Sequence, residues 1–594
     1  MKKRPLALLL LCVMLLSACG GNNKQQPNQG SNNQGANQNQ SQDNDTPPAD
    51  DGNQQDENTY DGPKDLRDWT STMATFNPHM YTNSKVFINL GTFVDMLANM
   101  DGSSTVAYVP HHAAELPTTD DGGTTWHVKL RQDLTWDDGT PIDAHTYEYS
   151  MKMLLDPLLV NKNASYMFDT CVVKNAKEYF SGNCAWEDVG VKVISDYELE
   201  FTMEYPAPEI DFFSTIGMLI WPVKEDVYEA CMNADRTSTT YGTSLETTPS
   251  CGYFILTEWI TDGHDKFVRN DNDPLVKEGW YLVDSITRRY ISDNATRKEM
   301  FEKGELDQHS LLGEDYLQHK NDPRAMPTLS PNVWGYFVNG ASKNTIMQDK
   351  DFRNALYYGT PRERICEDVY KLYPAAPYIV STAILTGDEF FRATPQAKAN
   401  TEKYATDEEK AKELFDKAYE ANGSTPVSVE YIYFEGQEEQ KRQAEILQES
   451  LENLFGKDRF TLTLRAMPPS AAYDAYRAGD YDLGLGVRLA NQFNPWATLN
   501  VWTSDYADPY ETGFSNEEFD KLQYECVYGS LVNDIEGKID ALAKMEDMLL
   551  DYGCFVPVMQ NDNVVMYSER LILPTDEYLP WAGYGYYQSD IIAG

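Results

Sequence analysis

The sequence predicts an α/β protein of two or three packed domains. Once an N-terminal leader and a polar stretch are set aside, roughly 530 residues remain, too many for one hydrophobic core. Between 427 and 483, short apolar runs alternate with amphipathic helical stretches, the pattern of layered α/β architecture. The composition, 41% hydrophobic and 12% aromatic, suits folded domains throughout that length.

The leader comes first. Lys2, Lys3 and Arg4 precede an apolar run over 6–16. A run this short does not span a bilayer, which needs about 20 apolar residues, but it fits the core of a secretory signal. Leu16-Ser17-Ala18-Cys19 resembles a bacterial lipobox, so 1–18 is expected to be removed and Cys19 to carry the lipid. Residues 19–60 are almost wholly Asn, Gln, Ser, Gly, Asp and Pro. Such a segment buries too little to offset its ordering entropy and reads as a disordered tether. The whole predicts an anchored protein on the outer face of a one-membrane bacterium.

The folded body follows. Apolar spacing over 86–100 (Val86, Leu90, Phe93, Val94, Leu97) predicts a helix. Alternation over 126–130 predicts a strand, and Asp137-Asp138-Gly139-Thr140-Pro141 a tight turn. Asp143 then caps a helix over 144–155, stopped by Asp156-Pro157. Strands are expected over 191–205, a hairpin over 251–268, a strand over 283–291 and a helix over 296–303. Beyond 334–339, another strand, helices over 408–422, 438–454 and 470–478 alternate with strands over 427–433, 460–464 and 481–483. Helices over 519–522 and 535–550 and strand over 555–566 finish the chain.

The formal charge is −44, from 93 acidic and 49 basic residues. That field disfavours nucleic acid and anionic lipid surfaces and favours neutral or cationic solutes. The eight histidines are sparse, and neither G-x-S-x-G nor H-E-x-x-H occurs, so an enzyme is not expected. No cofactor or metal site is predicted, since no C-x-x-C spacing occurs. Of nine cysteines, Cys12 leaves with the leader and Cys19 takes the lipid. In a disulfide-permissive compartment Cys171 with Cys184 is the first candidate bridge. Cys231 with Cys251 and Cys526 with Cys554 are further candidates, leaving Cys366 over.

Several motifs together resemble the bacterial extracellular solute-binding proteins of family 5, the oligopeptide- and dipeptide-binding receptors of ABC importers. Leu130-Arg131, Trp136 and Asp138-Gly139-Thr140-Pro141 through Ala144 fit the family's LR-x-x-x-x-W-x-DGTP-x-x-A pattern. Phe76-Asn77-Pro78-His79, Gly252-Tyr253-Phe254 with Trp259, Arg269-Asn270 and Gly304-Glu305-Leu306-Asp307 follow in the family's order. So do Phe337-Val338-Asn339 with Arg353 and Ala355-Leu356, and Gly513-Phe514-Ser515-Asn516 with Phe519-Asp520. The resemblance implies a periplasmic-binding-protein-like α/β fold: two α/β lobes, a two-strand hinge and a small inserted domain. Carried over, the first lobe takes 61–110, 245–335 and 560–594, the small domain 111–244 and the second lobe 336–559. It further implies a monomer that binds peptide in the interlobe cleft and delivers it to a membrane permease.

Peptide binders of the family often carry a late G-W-x-x-D-Y motif whose aspartate pairs with the peptide amino terminus. Two alignments compete. Trp502, Asp505 and Tyr506 match the letters. The alternative starts at Gly486, puts Asn491 or Gln492 at the aspartate and Phe493 at the tyrosine, and keeps the family spacing. That second alignment is preferred, and it leaves a blocked, cyclic or non-peptide solute open. Trp502 and Trp496 either line the cleft or belong to the core. Asn339 either bonds the ligand or ties down a strand end, and Arg353 is expected to pair with Asp349 or Asp351. A surface sensor that kept the fold without transport is a further reading.

Overall fold

The structure, a computed structural model, describes residues 60–594 except 82–86, 102, 104, 169–170, 388, 489, 491–494 and 507–508. The leader, Cys19 and the tether therefore lie outside the described residues.

Two lobes are joined by two strand crossings. The second lobe is built on a five-stranded sheet in the order Phe460–Met467, Val427–Phe434, Leu483–Gly486, Val333–Val338, Phe555–Gln560. The first three strands are parallel, and Val333–Val338 runs antiparallel to both of its neighbours. The parallel strands are linked by Glu438–Phe455 and Pro469–Ala478, as expected for β-α-β units. Helix Glu408–Ala421 starts on the Asp407 cap and gives way at Gly423, whose φ of +69° suits a left-handed helix end. Its apolar face packs on Lys350–Gly359.

Leu483-Gly484-Leu485-Gly486 shows how sequence sets this core. A Cβ at Gly484 would stand 2.2 Å from the Tyr476 ring, and one at Gly486 would stand 2.6 Å from Phe337. The glycines leave room for aromatic rings to lie across the strand while Leu483 and Leu485 fill the core.

In the first lobe, Asp65–Thr70, Ser285–Tyr290, His264–Arg269 and Phe254–Ile260 form a sheet in that order. Three strands, Thr125–Lys129, Glu198–Thr202 and Val191–Ser195, form a separate small sheet. Its residues share one continuous core with the first lobe, running from Leu66 through Trp126 and Phe201 to Ile286. The helix after the Asp-Gly turn is Ala144–Leu154, with Asp143 and Thr146 closing a reciprocal capping box.

The crossings are compact. Ala325–Thr328 pairs with Asn563–Tyr567 in the first lobe, and Val333–Val338 pairs with Phe555–Gln560 in the second. Between them, Ser330 donates its N–H to Asp562 at 2.8 Å and its hydroxyl to Asn561 at 3.0 Å. Residues 329–332 and 561–562 therefore form the two-strand hinge.

Three sequence expectations need correction. The 86–100 region is not helical where it is described: Val94–Ala98 is a strand paired with Val106–Pro110. All five of its residues are buried, so the periodic spacing reflected burial on both sides rather than a helical stripe. The seven described cysteines are all free, so no expected bridge forms. Cys171 is fully buried, whereas Cys184 points its thiol at the Asn175 carbonyl. Cys554 is engaged with the Leu549 carbonyl, and burial raises its thiol, like those of Cys171, Cys251 and Cys526, well above the ordinary range. Arg353 bonds the carbonyls of Tyr552, Met347 and Gln348 at 2.9–3.0 Å, not Asp349 or Asp351.

Candidate functional site

In open α/β sheets, ligands sit outside the carboxyl ends of the strands. Here Phe434, Met467, Gly486 and Gln560 end together, beside the start of Val333–Val338, and this edge adjoins the hinge. A small cavity of about 10 Å³, room for a single water, lies there, lined by Val333, Ile379, Arg488, Ala490, Thr498, Trp502 and Phe555.

Each wall is held from outside. Trp502 follows the short helix Pro495–Asn500 and is buried, its ring 6.1 Å from Phe337 and 5.9 Å from Phe555. Arg488 leaves the end of Leu483–Gly486 and lies over Tyr510, with its guanidinium carbon 3.3 Å from the ring centroid and 5.6 Å from that of Tyr506. Such stacking fixes a cation's plane. Ala490 donates its N–H to the hinge side chain Asn332 at 2.9 Å, so one cavity wall is tied to the hinge. Ile379 is placed by Glu546, whose carboxylate accepts the N–H groups of Ile379 and Val380, both at 3.0 Å. The Thr498 hydroxyl is buried without a hydrogen-bond partner.

The lobes meet beside this edge. Met96, Met218, Ile210 and Trp581 pack with Leu385. Tyr205 and Tyr528 approach at 4.4 Å between ring centroids, and Asn533 donates to the Gly122 carbonyl at 3.3 Å. Asp211, on Glu209–Phe212, is within the electrostatic reach of Lys538 on Ile535–Tyr552, and Lys538 lies 4.5 Å over Trp496. Burial pushes the Asp211 carboxyl up to about 6 against the opposing pull of Lys538, and burial likewise lowers the Lys538 ammonium.

The sequence candidates scatter. Trp502 lines the cavity, and Tyr506 flanks Arg488. Trp496 is buried two residues before Thr498, but its ring serves Lys538 and its carbonyl accepts from Gln523 at 2.6 Å. Asp505 is exposed on the turn after Trp502. Asn339 stands at the opposite end of Val333–Val338 from the cavity. It is 1% exposed and spends its amide on the carbonyls of Gly479 and Tyr481 and the N–H of Ala341, all within 3.1 Å. Its hydrogen-bonding capacity is used by the strand end, not left for a solute. Asn491, Gln492 and Phe493 lie outside the described residues. Arg488, Thr498 and Ile379 were missed; only Arg488 left a signal, as the charge straight after an apolar strand in a β-α-β unit.

One group of potential metal ligands occurs among the described residues: His111, His112 and Asp273. All are engaged. His111 pairs with Asp273 at 2.7 Å, and Asp273 also caps the helix Pro274–Lys277. His112 bonds the Tyr147 hydroxyl at 2.9 Å and the Cys251 carbonyl at 3.1 Å. This is a satisfied polar network inside the first core.

Comparison with known proteins agrees with this fold. Residues 107–510 match the bacterial extracellular solute-binding proteins, family 5 middle. The dipeptide-binding protein DppE of Bacillus subtilis is 24% identical over 452 residues, covering 75% of this chain and 78% of its own. Listeria monocytogenes OppA bound to peptide superposes with a TM-score of 0.63 at 20% identity, covering 90% of this chain and all of that one. The unliganded open form of the periplasmic murein tripeptide-binding protein MppA gives 0.68 at 17% identity, covering 89% of this chain and 97% of that one.

Proposed function

The chain belongs to the family-5 bacterial extracellular solute-binding proteins, and from that premise we propose that it captures peptides between its lobes and delivers them to an ABC permease. The observation that carries the reading is the two-lobe fold with the strand carboxyl edge beside its hinge, where Trp502, Thr498 and Arg488 gather and Asn332 of the hinge accepts the Ala490 N–H. A solute there touches aromatic surface for affinity and a few polar groups for orientation. The named peptide binders among its relatives supply the ligand class.

On this reading Cys19 carries the lipid, 19–60 tethers the body outside the membrane, and the protein acts as a monomer without enzymatic turnover. The first lobe takes 61–110, 245–335 and 560–594, the small domain 111–244, and the second lobe 336–559. Solute binding shifts the lobes toward the closed arrangement because only that arrangement contacts the solute from both sides.

The test is native mass spectrometry of the full chain, purified without refolding, followed by denaturation and identification of what is released. Released peptides are the expected result. A single non-peptide mass replaces the peptide with another amphiphilic solute in the same cleft.

A further inference from the structure

The interlobe seam contains a carboxylate with no hydrogen bond. Asp211 lies on Glu209–Phe212 and is only 8% exposed, with one carboxylate oxygen fully buried and unpartnered. Its backbone carbonyl accepts from the Thr215 hydroxyl, but the carboxylate receives nothing. The nearest cation, Lys538, acts on it through space without making an ion pair or a hydrogen bond with it.

Buried carboxylates are almost always hydrogen-bonded, and leaving one bare carries a penalty that its neighbours must offset. Other buried carboxylates in this protein obey the rule. Asp265 takes two bonds from Arg288 at 2.7 and 2.9 Å, and Asp307 is bonded by Arg570 and the Arg67 N–H. Asp211 breaks the rule where the small domain meets the second lobe. It faces Lys538, which lies over Trp496, and Trp496 shares the short helix Pro495–Asn500 with the cavity residue Thr498.

We propose that Asp211 is the solute's cation anchor, supplied by the small domain. Its missing partner is a nitrogen cation of the bound ligand, an alkylammonium or guanidinium. A neutral donor satisfies the hydrogen bond but not the buried charge, whereas a cation satisfies both. Lys538, held off on Trp496, keeps the carboxylate ionised without occupying its lone pairs. In a peptide the cation comes from the free amino terminus or from a Lys or Arg side chain. This assignment rests on the peptide reading above and adds to it the residue that selects charge. It also separates anchoring from the segment around Asp505, which is exposed.

The test incubates the full chain with random pentapeptide pools in four forms: amino terminus free or acetylated, each with or without Lys and Arg. Retained peptide is measured by mass spectrometry for wild type, Asp211→Asn and Asp211→Ser. The account predicts that wild type retains cation-bearing peptides about tenfold or more over those without one, and that both variants abolish the preference. Preference following the free terminus identifies the main chain as the source, and preference following Lys and Arg identifies the side chain.

Thermal unfolding without ligand gives an independent readout. A merely structural aspartate lowers the Tm when replaced, whereas a bare carboxylate kept for a ligand leaves it unchanged or raises it on Asn substitution. Retention by Asp211→Asn equal to wild type, with the same preference, overturns the assignment and leaves peptide capture standing. Retention of no pool by wild type overturns both.

Discussion

Glu546 offers the most quantitative check on how the cavity is held. It is fully buried and accepts four donors: the N–H groups of Ile379 and Val380 at 3.0 Å, the Asn400 amide at 3.1 Å and the Arg392 guanidinium. Glu546→Gln keeps a carbonyl for the two N–H groups but removes the charge opposite Arg392. Breaking a buried pair from one side costs about 3–5 kcal/mol. Arg392 retains the carbonyls of Val380 and Ala397 and the Thr401 hydroxyl, and lies over Tyr378 and Phe391, so the lower end applies, about 3 kcal/mol. For a lobe of this size about 2–4 °C of Tm accompanies each kcal/mol, giving a fall of roughly 6–12 °C. Differential scanning calorimetry and urea unfolding of the full chain measure it. Because Ile379 is a wall of the cavity, retention of a pentapeptide pool weakens as well. A Tm within about 2 °C of wild type refutes the view that this carboxylate organises the wall.

Other expected outcomes follow from the same geometry. Asn339→Ala strips three bonds from the end of Val333–Val338 and lowers stability by about 2–4 kcal/mol in urea unfolding, with peptide retention unchanged at permissive temperature. His79 and His112 are buried, and burial holds both down to about 3, against an ordinary 6.5. The unfolded chain therefore binds protons that the native chain refuses. Their contribution is full above pH 6.5 and is lost as pH falls toward 3, so His79→Asn makes the measured pH-stability slope shallower across that window. The raised Asp211 carboxyl has the opposite sign. The native form holds its proton longer, so this group's penalty grows as pH rises from 3.8 to about 6, and Asp211→Asn gains relative to wild type over that range.

The second lobe was largely legible in the sequence because its elements are local. Glu408–Ala421, Glu438–Phe455 and Pro469–Ala478 show their apolar stripes, and Val427–Phe434 shows its strand alternation. Val94–Ala98 was misread because a strand buried on both faces has no period of its own. The hinge leaves no local mark either, since Ser330 acquires meaning only when Asn561 and Asp562 arrive from more than 230 residues away. The site was partly legible: Trp502 stood out as an aromatic in a family-like motif, while Asp505 matched the motif in letters and lies on the surface. Asp211 gave no signal at all. Its significance lies in lacking a partner between two lobes, a property of tertiary packing that no window of sequence contains.

The most direct measurement is a crystal structure of the full chain loaded with the pentapeptide pool. The account predicts ligand density against Trp502, Thr498 and Arg488 at the strand carboxyl edge, enclosed by both lobes. Density instead in the polar groove at the opposite end of the sheet, beside Ser342, Asn344 and Asp482, would contradict it.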